Sequence, residues 1–292
     1  MTGRITKLIS GLYTVYCEEE NKYYDLKPLG IFRHKDIQPK VGDIVEFNET
    51  SILKIKPRFN DLIRPVICNI DQALVVTSLK EPELNLNLLD RFIVILEYND
   101  IKPVLIFSKW DLVKEEEKEE INKIIDYYQS IGYETVITST KQNLLNNVDK
   151  YLKDKVSVIT GQSGTGKSSL INELGYEIEL KTNEISKALN RGKHTTRHTE
   201  LIRICDGWLA DTPGFGNLEF IGMSDIDVSH SMIELFEHSS NCKFNGCLHE
   251  KEPKCYIKQL VEEQKILESR YKNYLLFLEE ARKNRKWWWY ES

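Results

Sequence analysis

A chain of 292 residues is longer than a single hydrophobic core usually serves, so two or three domains are expected. Apolar residues make up 41%, ample for packed cores, while a net charge of −5 excludes a chain that is basic throughout, so any contact with nucleic acid must be local. No segment resembles a signal peptide, and no run reaches the roughly 18 apolar residues of a membrane span, so a soluble cytoplasmic chain without membrane association is expected.

Short alternating runs such as Gly11 to Cys17 and Gly42 to Phe47, separated by polar turns, predict a small β domain over residues 1–62. From Gln72 strand and helix alternate. Strands are predicted at Gln72 to Leu79, Pro103 to Phe107, Thr135 to Ser139 and Val156 to Thr160, with helices near Leu88 to Asn99 and over Lys114 to Ser130. This alternation is the signature of βαβ units and a mostly parallel sheet, which assigns residues 63–220 to an α/β domain. Residues 221–292 read as a mostly helical domain, with one long amphipathic stretch from Ile257 to Lys286. That stretch shows no sustained heptads, and a monomer is expected.

The strongest motif is Gly161-Gln162-Ser163-Gly164-Thr165-Gly166-Lys167-Ser168, which fits G-x-x-x-x-G-K-S/T between an apolar strand and a helix starting at Ser168. The glycines let successive N–H groups face phosphate, Lys167 reaches the β and γ oxygens, and the Ser168 hydroxyl is placed for Mg²⁺. Asp211-Thr-Pro-Gly214 ends another apolar strand and supplies a carboxylate for the same magnesium and a glycine for sensing the γ-phosphate. Between them, Gly192 to His198 is polar and unpatterned. Its Thr195 or Thr196 is the candidate hydroxyl for Mg²⁺, and a plain surface loop is the alternative.

Ser108-Lys109-Trp110-Asp111 follows a strand and resembles the N-K-x-D guanine motif, with Ser108 where most GTPases have Asn. A carboxylate at Asp111 accepts from both the N1–H and the 2-amino group of guanine, a pair adenine lacks. A serine is expected to weaken the contact between the base loop and the phosphate loop. Thr138-Ser139-Thr140-Lys141 resembles the loop that supports guanine, through Ser139 and Thr140. The base motif precedes the phosphate motif, and Asp211 to Gly214 comes last, so the G domain is circularly permuted.

Cys242, Cys247, His249 and Cys255 have C-x4-C-x-H-x5-C spacing, which suits one closed tetrahedral Zn²⁺. Cys17, Cys68 and Cys205 lie in apolar strand patterns and read as small core residues.

Together these features resemble the bacterial ribosome small-subunit-dependent GTPase A (RsgA) family over nearly the whole chain. The resemblance is carried by Gly3-Arg-Ile, Val41-Gly-Asp43, Gly161 to Ser169, His194-Thr-Thr196 and Asp211 to Phe215. It implies an N-terminal OB fold that binds RNA and a GTPase acting in late maturation of the 30S subunit. It also implies GTP/GDP and Mg²⁺ as ligands, 16S rRNA as a contact, and hydrolysis stimulated by the subunit. Phe215 stands where Ras-like proteins place a water-orienting Gln, and an apolar ring cannot position water. His194 is therefore the candidate for that task beside Lys167, with a structural or RNA-facing role as its alternative. Lys54, Lys56, Arg58 and the Trp287 to Tyr290 tail are candidate RNA contacts, the tail alternatively packing on the core. Two further readings are an ATPase or kinase on the same phosphate loop, and an RNA-binding scaffold with little turnover.

Overall fold

The computed structural model describes all residues except 31, 33–37, 63–64, 140–146, 183–198, 212–217 and 292; for 176–182, 211 and 285–291 the backbone alone is described. Strands β1 (Thr2–Ile9), β2 (Leu12–Cys17), β3 (Lys22–Pro28), β4 (Ile44–Phe47) and β5 (Ser51–Ile55) close into a barrel in the order β1-β2-β3-β5-β4. Only the β3–β5 pair is parallel. This is the small Greek-key closure of an OB fold, and closure leaves no free edge. Its inward residues alternate along the strands, with Ile5, Val15, Val45, Phe47 and Ile52 at its centre. Gly42 holds φ +96°, and a Cβ there would lie 1.9 Å from the Cys68 carbonyl oxygen, so only glycine fits where the barrel meets the next module.

The central sheet runs β10 (Glu134–Ile137), β9 (Lys102–Ser108), β8 (Gln72–Ser78), β11 (Val156–Thr160), β13 (Gly207–Asp211), β12 (Leu201–Ile204), and only the β12–β13 pair is antiparallel. Its strands read as continuous apolar runs because both faces are covered. Along β8, Ala73 and Val75 join the core shared with α1 (Leu86–Tyr98) and α2 (Lys118–Ser130). Leu74 and Val76 point the other way, toward Leu152 of α3 (Asp149–Leu152) and Leu170 and Leu174 of α4 (Lys167–Thr182).

The C-terminal module contains α5 (Asp225–His230), α6 (Ile233–Ser239), α7 (Tyr256–Glu262) and α8 (Glu268–Glu291). The single stretch expected from Ile257 to Lys286 is thus two helices, broken where Gln264 takes φ +56°. The break turns the chain so that Ile257, Leu260, Ile266, Tyr274 and Phe277 fill one core from two directions, which a straight helix cannot do. The helix expected from Lys114 begins instead with a 3-10 turn, Glu115–Glu117, and becomes α-helical at Lys118. Cys17 and Cys68 are buried as expected, whereas Cys205 sits half-buried in the β12–β13 turn with φ +49°.

The G domain and the C-terminal module share a fully buried ion cluster. Arg270 of α8 donates from Nη1 to Asp90 Oδ1 of α1 at 2.6 Å, and from Nε and Nη2 to the two carboxylate oxygens of Glu234 on α6 at 2.5 and 3.1 Å. Tyr128 and Asn273 each donate to Asp90 at 2.6 Å, so both carboxylate oxygens of Asp90 are satisfied. Arg270→Ala would leave two carboxylates buried without their cation. The expected loss is roughly 3–5 kcal/mol of stability, read as a lower urea midpoint. An unchanged midpoint would show that the cluster holds nothing together.

Candidate functional site

The base and phosphate motifs meet at the carboxyl ends of β8, β9 and β11, where the strand order reverses direction; this is the ligand position of open α/β sheets. The phosphate loop leaves β11 through Gly161, whose φ is +141°, and a Cβ at that position would lie 2.1 Å from the Val76 carbonyl oxygen of β8. Any side chain would push the loop off the sheet. Gly164 and Gly166 also hold positive φ, the Thr165 hydroxyl donates to the Gln162 carbonyl at 2.9 Å, and Lys167 opens α4 one residue before the expected helix start. Lys167 Nζ donates to the carbonyls of Gly161 and Gln162, each at 2.8 Å, so its ammonium closes the mouth of the loop. Ser168 and Ser169 follow it in the first turn and are exposed.

Two contacts join the base motif to this loop. Ser108 Oγ donates to the Thr165 carbonyl at 2.6 Å, and the residue is buried. Lys109, in the left-handed region at φ +61°, donates from Nζ to the Gly164 carbonyl at 2.7 Å and to the Glu81 carbonyl. The contact expected to be weaker with a serine at position 108 is made by its hydroxyl, which reaches the loop directly. Asp111 is partly exposed, and its Oδ1 accepts from the Ser139 hydroxyl at 2.5 Å, which fixes the carboxylate plane. Ser139 therefore acts through its side chain as well as its place in the supporting loop.

Asp211 ends β13 beside β11, on the same edge of the sheet, with only its backbone described. Thr140, His194, Thr195, Thr196 and Gly214 lie outside the described residues, as do the side chains of the Trp287 to Tyr290 tail. Among the barrel cations, Arg58 is not available to a ligand. It donates to both oxygens of the buried Asp43 at 2.7 and 2.8 Å and to Asp61 at 2.7 Å, so it braces the barrel exit. Lys54 is exposed and Lys56 half-buried.

Cys242, Cys247, His249 and Cys255 converge, with their ligand atoms all within 4.8 Å of one another. A tetrahedral zinc with Zn–S of about 2.3 Å and Zn–N of about 2.0 Å separates two sulfurs by about 3.8 Å and a sulfur from a nitrogen by about 3.5 Å. The Cys242–Cys255 Sγ separation is 3.8 Å, and His249 Nδ1 lies 3.5 Å from Cys242 and 3.3 Å from Cys255. Cys242, His249 and Cys255 therefore stand at zinc spacing, and the chemistry of the four-donor set fits zinc. Burial pushes the Cys247 thiol up to about 12 and holds His249 below its ordinary value, toward the neutral imidazole that a metal needs. Residues that spacing alone does not reveal hold the knuckle. Glu252 accepts from the backbone N–H groups of Leu248, Glu250 and Lys251 at 2.9–3.0 Å, while Tyr271 and Tyr274 of α8 donate to the His249 and Leu248 carbonyls. An acidic residue among the ligands, before a helix carrying tyrosines, is the sequence signal that could have found them.

Among the described residues no helix is long and apolar enough to cross a membrane. The sequence matches the RsgA N-terminal domain family over residues 2–52 and the RsgA GTPase family over residues 55–221. It is 48% identical over 284 residues to the small ribosomal subunit biogenesis GTPase RsgA 2 of Oceanobacillus iheyensis, covering 95% of this chain and 96% of that one. It is 45% identical to the corresponding Bacillus subtilis protein, covering 97% and 98%. Two crystal structures share the fold at a TM-score of 0.83: YloQ, described as a circularly permuted GTPase, at 38% identity with 97% of this chain and 95% of that one covered, and YjeQ from Thermotoga maritima, at 31% with 96% and 98% covered. The base-before-phosphate motif order, the joined loops and these matches converge: the chain belongs to the RsgA family of circularly permuted GTPases and is a GTP hydrolase.

Proposed function

We propose that the chain is a cytoplasmic, monomeric assembly factor for the small ribosomal subunit, binding GTP and Mg²⁺, docking on the 30S particle through 16S rRNA, and leaving after hydrolysis. The observation that carries this reading is the pair of contacts from Ser108 and Lys109 to the phosphate loop, which makes one guanine-nucleotide site out of motifs in permuted order. The relatives' function in small-subunit biogenesis, printed in their names, supports the ribosomal partner. The same reading divides the chain into a barrel at 1–62 facing RNA, a G domain at 63–220, and a zinc-bearing helical module at 221–292.

In the bound state Asp111, oriented by Ser139, accepts from guanine, and Thr140 lies in the loop that supports the base. Residues Gly161 to Gly166 and Ser169 surround the phosphates, and Lys167 exchanges its loop carbonyls for β and γ oxygens. Ser168, Asp211 and Thr196, with Thr195 as its alternative, hold Mg²⁺. When bound there, that ion would supply positive charge beside the phosphates. Gly214 senses the γ-phosphate, and His194 orients the attacking water once the subunit positions it. One structural Zn²⁺ sits on Cys242, Cys247, His249 and Cys255.

Asp111→Asn removes the acceptor for two guanine N–H groups and supplies a donor suited to the 2-carbonyl of xanthine. GTP affinity is expected to fall roughly 10- to 150-fold, the range of a lost charged hydrogen bond, with xanthosine triphosphate gaining in a competition assay. No change in the base preference would unseat Asp111 as the reader. The central experiment compares hydrolysis by the protein alone, with 30S and with 50S subunits, using ATP in parallel. Stimulation confined to GTP and 30S is expected; equal rates throughout would overturn the assembly role. In the same assay His194→Ala should still bind GTP while losing roughly 10²-fold of the stimulated rate, and an unchanged stimulated rate would remove His194 from the chemistry. Elemental analysis should find one zinc per chain, lost in Cys247→Ala with GTP affinity retained. A metal-free wild type of normal stability would contradict the zinc assignment.

A further inference from the structure

The C-terminal module has a face whose chemistry does not suit RNA. Between Asn217 and Cys242 the chain contains five acidic residues and no Lys or Arg; Glu234 is buried on Arg270 and Asp225 is paired with Arg282, which leaves Glu219, Asp227 and Glu237 to charge the surface. The same segment exposes large apolar side chains: Ile226 is 55% exposed and Phe236 51%. Ile226 and His230 stand four residues apart on α5 and so share a face, and the His230 ring packs edge-on against Phe236 with centroids 4.8 Å apart. The opposite sides of α5 and α6 are filled by the buried Val228 and Leu235, with buried Met232 between the two helices, so Ile226 and Phe236 are surplus to the core. The cations tied to this segment are already committed: Arg282 to Asp225 and Glu250, Arg270 to Glu234 and Asp90, and Arg91 to Glu280.

The barrel offers a contrast. Its exposed Leu53 lies beside the exposed Lys54 and Phe59 follows Lys56, a mixture of rings, aliphatics and cations suited to a nucleic-acid strand. On α5 and α6 the apolar residues are flanked by carboxylates, which repel phosphate, and an exposed apolar patch with a charged rim is the mark of a protein contact.

We infer that the Ile226–His230–Phe236 face docks a protein of the small subunit, through a segment that presents an apolar side chain flanked by Lys or Arg. Charge complementarity selects this occupant: the face is acidic, and a basic partner would be drawn to it and held in register while the apolar residues supply the affinity. The inference rests on the assembly reading and assigns to this face a contact with protein, separate from any contact with rRNA.

Phe236→Lys tests it, because the added cation acts in opposite directions on the two kinds of partner. Binding of the full chain is measured to purified 30S subunits and to protein-free 16S rRNA, with zinc content and unstimulated GTP turnover checking the fold. The variant is expected to bind 30S on the order of tenfold more weakly, the scale of a lost aromatic anchor, with rRNA affinity equal to or above that of the wild type. Ile226→Lys, on the neighbouring helix, should behave alike. Unchanged or tighter 30S binding by both variants would overturn the inference alone, as would an equal loss on protein-free rRNA. A wild-type chain that does not bind 30S at all would overturn the assembly reading and this inference with it.

Discussion

Helix α1 depends on one buried guanidinium. Arg270 and its carboxylates Asp90 and Glu234 are all sealed from water, and such a cluster survives only when each charge finds partners, because desolvating an ion costs several kcal/mol. Here the partners come from α1, α2, α6 and α8, including the Tyr128 hydroxyl and the Asn273 amide. The arrangement also adds rigidity: the Arg270 guanidinium stacks over Tyr128 and Tyr133, so the C-terminal module cannot slide along α1 without breaking directional contacts. The residue after Asp90 repeats the pattern at the surface. Arg91 makes a two-pronged pair with Glu280 between the rings of Phe220 and Phe277, and it also donates to the Leu218 carbonyl at 3.2 Å.

Much of this was legible from residues. The glycines of the phosphate loop, the cysteine spacing and the apolar strands each have a local cause, and the structure places Gly161 against Val76 and four ligand atoms around one point. The permuted motif order was equally readable, because order is a property of the string. The sequence pattern failed where a side chain's role depends on distant partners. Arg58 reads as a free basic residue, yet it is spent on Asp43, fifteen positions away. Ser108 reads as a weakened asparagine, but Thr165 lies within reach of its hydroxyl. The continuous helix expected at the end of the chain failed for a related reason, since its apolar period persists across a reversal that brings both halves onto one core.

The Arg270 cluster was invisible for a physical reason. Asp90 and Glu234 sit in amphipathic helices where isolated acids normally mark the solvent side, and nothing local distinguishes a carboxylate that will be buried with a partner 180 or 36 residues away. Buried charge is a tertiary decision. The tyrosines around it carry a faint signal, since Tyr127-Tyr128 and Tyr133 cluster where an ordinary α/β helix would bring aliphatic residues, but the signal names no partner.

Circular permutation gives these anchors their meaning. In the unpermuted order the chain after the Asp211 motif would return to the sheet, and its position would be fixed by strand pairing. Here it leaves for another module, and its first described anchor is the Leu218 carbonyl on Arg91, a residue of the G domain that is itself locked to α8. The chain on the other side of the nucleotide site also reports outward: Glu200 forms an ion pair with Lys7 of the barrel at 2.9 Å, and Arg203 meets Tyr16 of β2. The described residues that follow these two stretches of chain are therefore tied, Glu200 to the barrel and Leu218 to the Arg91–Glu280 pair at the helical module. A nucleotide can shift the arrangement of modules only through contacts that differ between its states. Permutation sends the chain after Asp211 to a module boundary, so the contacts it makes there join the G domain to the helical module instead of to another strand of the sheet.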